Sequence, residues 1–333
     1  MIIKIFYTDK DETMSIKILG TGSSVPKRIV TNDDLAQIMD TSDEWIRSRT
    51  GIRARHLAIE ETSNEMAAKA GERALLQAGM RAEELDMILV ATLSPDQVMP
   101  NTACEVQKRI GAKKAVCIDL NAACSGFLFA LHTAAAYIAS GFSNNILVIG
   151  VETLSKVMDW NDRSTCVLFG DGAGAAVVTR GEENSYEAVV GSNGEKGHVL
   201  ELGDRKNNNP YVSNEDDPYY VTMDGQEVFK FAVSTVPNAI KEVLEKANVK
   251  VEEVDHFLLH QANERILQSV AKRLKLPLTK FPMNLERYGN TSSASIILLL
   301  DELNQKNEIK RGDKIVLCGF GGGLTWGAIY LTW

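Results

Sequence analysis

Short, continuous apolar runs alternate along the chain with longer segments whose apolar residues recur every three or four positions. These two periods predict strands and helices in turn. DMILVA, NILVIG and KIVLCG have the pattern of strands buried on both faces, which requires helices on either side of a sheet. Helical spacing predicts helices over 65–79, 102–111, 124–140, 226–246, 262–274 and 293–304. The class is α/β.

The pattern occurs twice. NEMAAKAGERALLQAGMRAEELDMILVATLS and STVPNAIKEVLEKANVKVEEVDHFLLHQAN share helix, acidic turn and apolar strand at a separation of 169 positions. NILVIG and KIVLCG match at the same offset, and each half closes with a glycine-rich turn and an apolar strand, FGDGAGAAVV and FGGGLTWGAIYL. One matched pair would mean little in an α/β protein, but four matched elements in order imply a duplicated unit. The expected halves are 14–182 and 183–333, with 181–220, polar and rich in Asn, Asp, Gly and Pro, as a loop-heavy connection. A second Met, Met14, opens the strand-like SIKILG, so 1–13 are expected to be an N-terminal extension or the product of a misassigned start.

Composition narrows the function classes. Of 333 residues, 44% are hydrophobic and 24% charged, the profile of a globular chain with core enough for two domains. The net charge of −8 argues against general nucleic-acid binding. Five scattered cysteines, with no C-x-x-C pair, fit reduced thiols in a cytoplasm better than a disulfide framework. The first residues lack the pattern of a signal peptide, and no stretch approaches the roughly 18–20 apolar residues of a membrane span, so neither export nor membrane association is expected.

The candidate nucleophile is Cys124 in DLNAACSGF, where a strand ending near Leu120 gives way to a helix. A helix start favours thiolate and predicts a lowered thiol pKa; Cys104, Cys117 and Cys166 read as buried small hydrophobes. His260 ends the strand DHFLLH, where side chains line α/β clefts, and His56, His132, His198 and His256 read as structural or solvent-exposed. Asn290 in YGNTSSAS lies in the second-half counterpart of the Cys124 loop, so both would face one cleft, although a turn or cap would also explain it. The glycines of GFGGGLTWG could aim N–H groups at one point as an oxyanion hole. LGTGSSVP resembles a dinucleotide turn, but Val25 replaces the third glycine and Pro26 does not lead into an evident helix, which discounts a nicotinamide cofactor.

With Cys124 in NAACSGF, His260 in HQAN, Asn290 in YGNTSSAS and the closing GFGGGLTWG, residues 15–333 resemble the β-ketoacyl-acyl carrier protein synthase III family. The resemblance implies a thiolase fold, two similar halves in a five-layered αβαβα sandwich, as a homodimer. It implies that an acyl-CoA primer acylates Cys124 and that malonyl-acyl carrier protein then decarboxylates and attacks the thioester, initiating type II fatty acid synthesis without metal, flavin or nicotinamide. On this likeness the N–H groups of Cys124 and Gly322 form the oxyanion hole, and His260 and Asn290 hold the enolate oxygen. Trp45, Arg49 and Arg163 match positions that hold the CoA adenine, and Thr50 and Asn263 match positions nearer the pantetheine arm. Lys230, Arg265, Lys272 and Arg273 would dock the acidic carrier protein. Met99, matched to a position that projects toward the partner subunit's acyl pocket, and Phe169 and Phe229 would bound the primer.

Alternatives stay open on the sequence alone. A thiolase would place a second reactive Cys at position 319, where this chain has Gly319, with Cys318 one residue off and so on the opposite strand face. Polyketide-priming synthases share Cys-His-Asn. A papain-like protease carries the same three residue types in order, but its local signature is absent around Cys124. A non-catalytic carrier-protein-binding relative would have lost the three polar residues, which are intact here.

Overall fold

The protein is described from a computed structural model covering residues 14–183, 185–203, 207, 209–211 and 220–333. The predicted 1–13 extension lies outside the described residues. Five strands, β1 (Ile16–Ser24), β4 (Met87–Ala91), β5 (Val116–Leu120), β6 (Ile146–Glu152) and β7 (Gly172–Arg180), form one sheet in the order β1-β7-β6-β4-β5. A second sheet has the order β11-β12-β13-β8, built from β8 (Tyr186–Ser192), β11 (His256–Leu259), β12 (Lys314–Gly321) and β13 (Thr325–Thr332). Read from the other side, it repeats the first, with no counterpart of β5 among the described residues. Directions agree as well among the matched strands: β4 and β6 pair in parallel, as do β11 and β12, and β1–β7, β6–β7, β12–β13 and β13–β8 are antiparallel, while β5 adds a further parallel pair with β4. Met87 opposes Ile146 and His256 opposes Ile315, the same register at the offset seen in the sequence.

Five layers follow from how side chains alternate along the strands. Met87, Leu89 and Ala91 face a central layer, where α5 (Gly126–Ala139) and α9 (Ser295–Gln305) lie between the two sheets. Ile88 and Val90 face outward onto α3 (Ser63–Ala78) and α4 (Thr102–Ile110). On the far side, Phe257, Leu259, Val316 and Cys318 pack under α6 (Gly225–Lys246) and α7 (Glu264–Leu274). The central helices are apolar nearly all round because both faces meet a sheet. The outer helices carry one apolar stripe and local start signals; Thr62 and Glu65 form a reciprocal capping box at α3.

Smaller elements flank this core. The antiparallel pair β2 (Arg28–Thr31) and β3 (Ala54–Leu57) brackets α1 (Asn32–Leu35) and α2 (Asp43–Thr50) in sequence, α8 (Leu285–Tyr288) packs on β3, and β9 (Leu200–Leu202) pairs with β10 (Val221–Met223). The connection expected to be loop-heavy therefore contains β8 and β9. Helices α2 and α8 escape periodicity because they are short; α2 buries only Ile46 and Thr50. The glycines of LGTGSS lie inside β1 instead of in a turn, in agreement with discounting a dinucleotide fingerprint.

The two halves meet at a pair of matched turns. Ala123–Ser125 precedes α5 and Ser292–Ala294 precedes α9, both as 3-10 turns, and Ala123 and Ser292 share a left-handed φ of 46°. Gly150 on β6 lies so close to the second turn that a Cβ there would sit 2.4 Å from the Ser293 carbonyl oxygen. Neither backbone has a flexible end that could yield. Gly150→Ala is therefore expected to cost about 1–3 kcal/mol, measurable as a lower denaturant midpoint; an unchanged midpoint would show that this approach is not tight.

Candidate active site

β5 delivers the chain to Asn121 and the turn that holds Cys124, immediately before α5. β12 reaches it from the second half: a Cβ on Gly321 would lie 2.6 Å from the Cys124 nitrogen, so only glycine lets the strand end this close. Thr325 Oγ1 accepts or donates at 2.7 Å to Ser125 Oγ and donates to the Ala122 carbonyl at 3.1 Å, tying the loop after β12 to the same turn. β11 ends at Leu259 and presents His260, whose N–H donates to the Cys318 carbonyl at 2.8 Å. Asn290 pairs with Phe169 in an isolated bridge, and its Oδ1 accepts from the Ser292 N–H at 2.9 Å.

Cys124, His260 and Asn290 thus arrive on three separate turns and line one cavity of about 1220 Å³. They lie at its closed end, with exposures of 7%, 2% and 6%. Gly322, Phe169 and Phe229 line it too, as do the buried Thr50 and the more exposed Trp45, Arg49, Asn263 and Arg265. Arg163 is not in the wall; its guanidinium stacks on one side of Trp45 at 5.1 Å, while Arg49 stacks at 4.7 Å. Arg163 is also held by the Asp40 carboxylate at 3.1 Å. Asn263 caps α7 and donates to the Arg49 carbonyl at 3.0 Å, and Arg265 donates to the Ser48 carbonyl at 2.8 Å, so the ends of α2 and α7 are laced together at the mouth.

Other predicted residues lie elsewhere. Lys272 and Arg273 are exposed on α7, and Lys230 is exposed on α6 and paired with Glu227 at 2.7 Å. Met99 is 87% exposed and does not line this chain's cavity. Cys318 is buried on the outer face of its sheet, away from the cavity, as strand alternation requires. Cys166 is buried as expected, whereas Cys104 and Cys117 are only half-buried.

The electrostatics correct one expectation. In the resting protein the Cys124 thiol is not lowered by the helix start. Burial pushes it up to about 12, against the pull of a hydrogen bond from Ser292, and the Glu152 charge adds to the rise. Burial pushes His260 down to about 3, so its imidazole is neutral at physiological pH. His260 Nδ1 lies 2.6 Å from Ser295 Oγ, and its ring sits edge-on to Phe320 at 5.6 Å.

Sequence reasoning missed Lys156, which lines the cavity, and Glu152, which is fully buried behind Cys124. It also passed over Ser292, although that hydroxyl lies inside the GNTSSAS motif already singled out. Glu152 gave no such signal: it closes an apolar strand and reads as the first exposed residue of a loop.

Comparison with known proteins agrees with this geometry. Family profiles described as 3-oxoacyl-[acyl-carrier-protein] synthase III and its C-terminal region match residues 118–194 and 244–333. The chain is 50% identical over 321 residues to beta-ketoacyl-[acyl-carrier-protein] synthase III of Clostridium acetobutylicum, covering 96% of this chain and 99% of that one. The crystal structure of 3-oxoacyl-[acyl-carrier-protein] synthase III from Aquifex aeolicus superposes with a TM-score of 0.89 at 47% identity, covering 96% and 100%. A priming beta-ketosynthase of the R1128 polyketide biosynthetic pathway superposes at 0.91 with 37% identity, covering 96% of each chain. Identity of this extent, over nearly the whole length of both partners, places the chain in the 3-oxoacyl-[acyl-carrier-protein] synthase III family.

Proposed function

We propose that the chain joins a short acyl-CoA primer to malonyl-acyl carrier protein by decarboxylative condensation, the first step of type II fatty acid synthesis, with Cys124 carrying the acyl group. The observation that carries this reading is the convergence of Cys124, His260 and Asn290 at the closed end of one deep cavity. The thiolate attacks the primer thioester, CoA leaves, and malonyl-acyl carrier protein then enters the same cavity. Loss of carbon dioxide leaves an enolate that attacks the acyl-Cys124 carbonyl. N–H groups of Cys124 and Gly322 face the oxyanion of both tetrahedral intermediates.

His260 and Asn290 act as neutral donors to the enolate oxygen. With the Ser295 hydroxyl donating to Nδ1, the imidazole hydrogen sits on Nε2 and is available to the cavity. The depressed pKa keeps this donor state unchanged across neutral pH. Trp45, Arg49 and Arg163 at the opening suit the adenine and phosphates of CoA, and Thr50 and Asn263 suit the pantetheine arm. The substrates supply all the reacting groups, so no cofactor is invoked.

The exposed cations Lys230, Arg265, Lys272 and Arg273 form the carrier-protein dock, complementary to an acidic partner. The outer edge of β5 is unpaired among the described residues and Val116 on it is half-exposed, which fits a homodimer that continues the sheet across subunits. Met99 then reaches the partner's acyl pocket. The two functional halves divide near residue 182, and the reaction belongs in the cytoplasm; among the described residues no helix is long and apolar enough to cross a membrane.

Family membership removes the cysteine-hydrolase alternative. A polyketide-priming role remains as a second reading, favoured by the likeness to the R1128 priming enzyme. A panel of acetyl-, butyryl-, isobutyryl- and isovaleryl-CoA with one malonyl-acyl carrier protein separates primer classes.

Two expectations test the division of labour. Cys124→Ala should abolish acyl-enzyme formation, seen by intact mass, whereas Asn290→Ala should keep acylation and lose malonyl decarboxylation by about a hundredfold or more; equal loss of both steps would overturn it. Replacing Lys272 and Arg273 together by Glu should raise KM for malonyl-acyl carrier protein about tenfold while leaving KM for acyl-CoA unchanged. An unaltered carrier-protein KM would show that the dock lies elsewhere.

A further inference from the structure

An oxyanion hole needs two N–H groups free of other acceptors and set about 3 Å from one oxygen. No backbone carbonyl among the described residues accepts from the N–H of Cys124 or of Gly322, and both residues line the cavity. They belong to different halves of the chain, so no single element fixes their spacing. Gly321, packed on the Cys124 backbone, sets how near β12 comes but leaves the next residue free to turn. The aim of the two donors depends on what else joins the turn Ala123–Ser125 to the loop between β12 and β13.

A pair of hydroxyls makes that join. Ser125 is fully buried directly after the nucleophile, and its Oγ lies 2.7 Å from Thr325 Oγ1 and 2.8 Å from the Ala122 carbonyl oxygen. Thr325 Oγ1 in turn lies 3.1 Å from the Ala122 oxygen and 3.0 Å from that of Gly322. Each hydroxyl has one hydrogen. The Ala122 oxygen already receives the Ser125 N–H at 3.2 Å, whereas Thr325 is the side chain that reaches the Gly322 oxygen. With Ser125 donating to Thr325 and Thr325 donating to Gly322, every group is satisfied and one continuous chain runs from the residue after Cys124 to Gly322.

Two further observations tie this join to the turn that carries the nucleophile. Ala123 enters the turn at a φ of 46°, a left-handed conformation that alanine does not favour by itself, so the turn relies on outside contacts. The matched turn of the second half has the same φ at Ser292 but no such pair: at the common offset Ser125 corresponds to Ala294 and Thr325 to Lys156. The frame is repeated and the hydroxyl pair is not.

We propose that Ser125 and Thr325 are positioning residues that set the spacing of the Cys124 and Gly322 N–H groups, and with it the strength of the oxyanion hole. Both hydroxyls are engaged with protein groups and act through the backbone donors. The Thr325 methyl packs beside Gly323, where a Cβ would lie 2.8 Å from it, so the side chain fills the loop while its hydroxyl holds the two ends together. Without that hydroxyl the loop keeps its filling but Gly322 is no longer tied to the turn. Acylation and condensation both pass through this hole. Decarboxylation does not, because its enolate is held by His260 and Asn290.

The proposal deepens the synthase reading and rests on it. Thr325→Val keeps the branched shape and removes the hydroxyl, Thr325→Ser keeps the hydroxyl and removes the methyl, and Ser125→Ala breaks the chain from its other end. Acylation by acetyl-CoA is measured by rapid-quench mass spectrometry, malonyl decarboxylation is followed on the unacylated enzyme, and the carbonyl stretch of an isotope-labelled acetyl-enzyme is recorded by difference infrared spectroscopy. In Thr325→Val and Ser125→Ala the acylation rate constant should fall about tenfold or more, with KM for acetyl-CoA unchanged and decarboxylation within about threefold of wild type. The double variant should lose no more than either alone, since both break one chain. The carbonyl band should move to higher frequency in both, toward that of a thioester without hydrogen bonds, and Thr325→Ser should restore rate and band. Wild-type acylation with an unmoved band in Thr325→Val would overturn the proposal. So would a loss in Thr325→Ser as large as in Thr325→Val, or an equal loss of acylation and decarboxylation, each of which marks a packing role. If either hydroxyl-deleted variant fails to fold, the other decides on the same criteria. A wild-type enzyme that does not acylate would instead refute the synthase reading.

Discussion

The close crossing of two strand ends over two turns governs this molecule. β6, from the first half, presses on the turn Ser292–Ala294 of the second, and β12, from the second half, presses on the turn Ala123–Ser125 of the first. Each contact is backbone against backbone, with Gly150 and Gly321 supplying the room. Neither half could hold its turn alone. The position of Cys124 therefore depends on a strand more than 190 residues away in sequence, and the site exists only when both sheets are packed on the central helices.

That dependence explains the electrostatic character of the cavity end. Two sheets and two helices exclude water from Cys124, His260 and Glu152 alike, so each is driven toward its neutral form. A neutral imidazole is what an enolate-binding donor needs. A neutral thiol is not what a nucleophile needs, and helix-start stabilisation does not overcome the desolvation.

The fold was largely legible because its signals are local and repeated. Continuous apolar runs marked β4, β6 and β12, and the 169-residue offset predicted a duplication that the matching strand order and registers now display. Short elements were lost: α2 buries two residues, too few for a period, and β8 was hidden in a polar connection. The cysteine, histidine and asparagine were legible because each stands where a strand or turn delivers a side chain to the cleft. Glu152 was not, because its partners Ser94, Ser292 and Ser293 come from three distant segments, and burial of a carboxylate is a tertiary property without local pattern.

The duplication also shows where chemistry broke the symmetry. At the common offset Asn121 corresponds to Asn290, Ser293 to Cys124, and Glu152 to Gly321. Asn121 lies exposed beside its turn, whereas Asn290 is buried at the cavity end. The first half places the thiol and the buried carboxylate, and at the equivalent positions the second places a hydroxyl that holds the carboxylate and a glycine that lets its strand approach the turn of Cys124. The repeated frame supplies two turns of equal geometry, with the same left-handed entry at Ala123 and Ser292. One turn presents the nucleophile; the other supplies the Ser292 and Ser293 hydroxyls that hold Glu152. A pseudo-symmetric scaffold of this kind brings complementary groups to one point from both halves, which a single copy of the unit could not do.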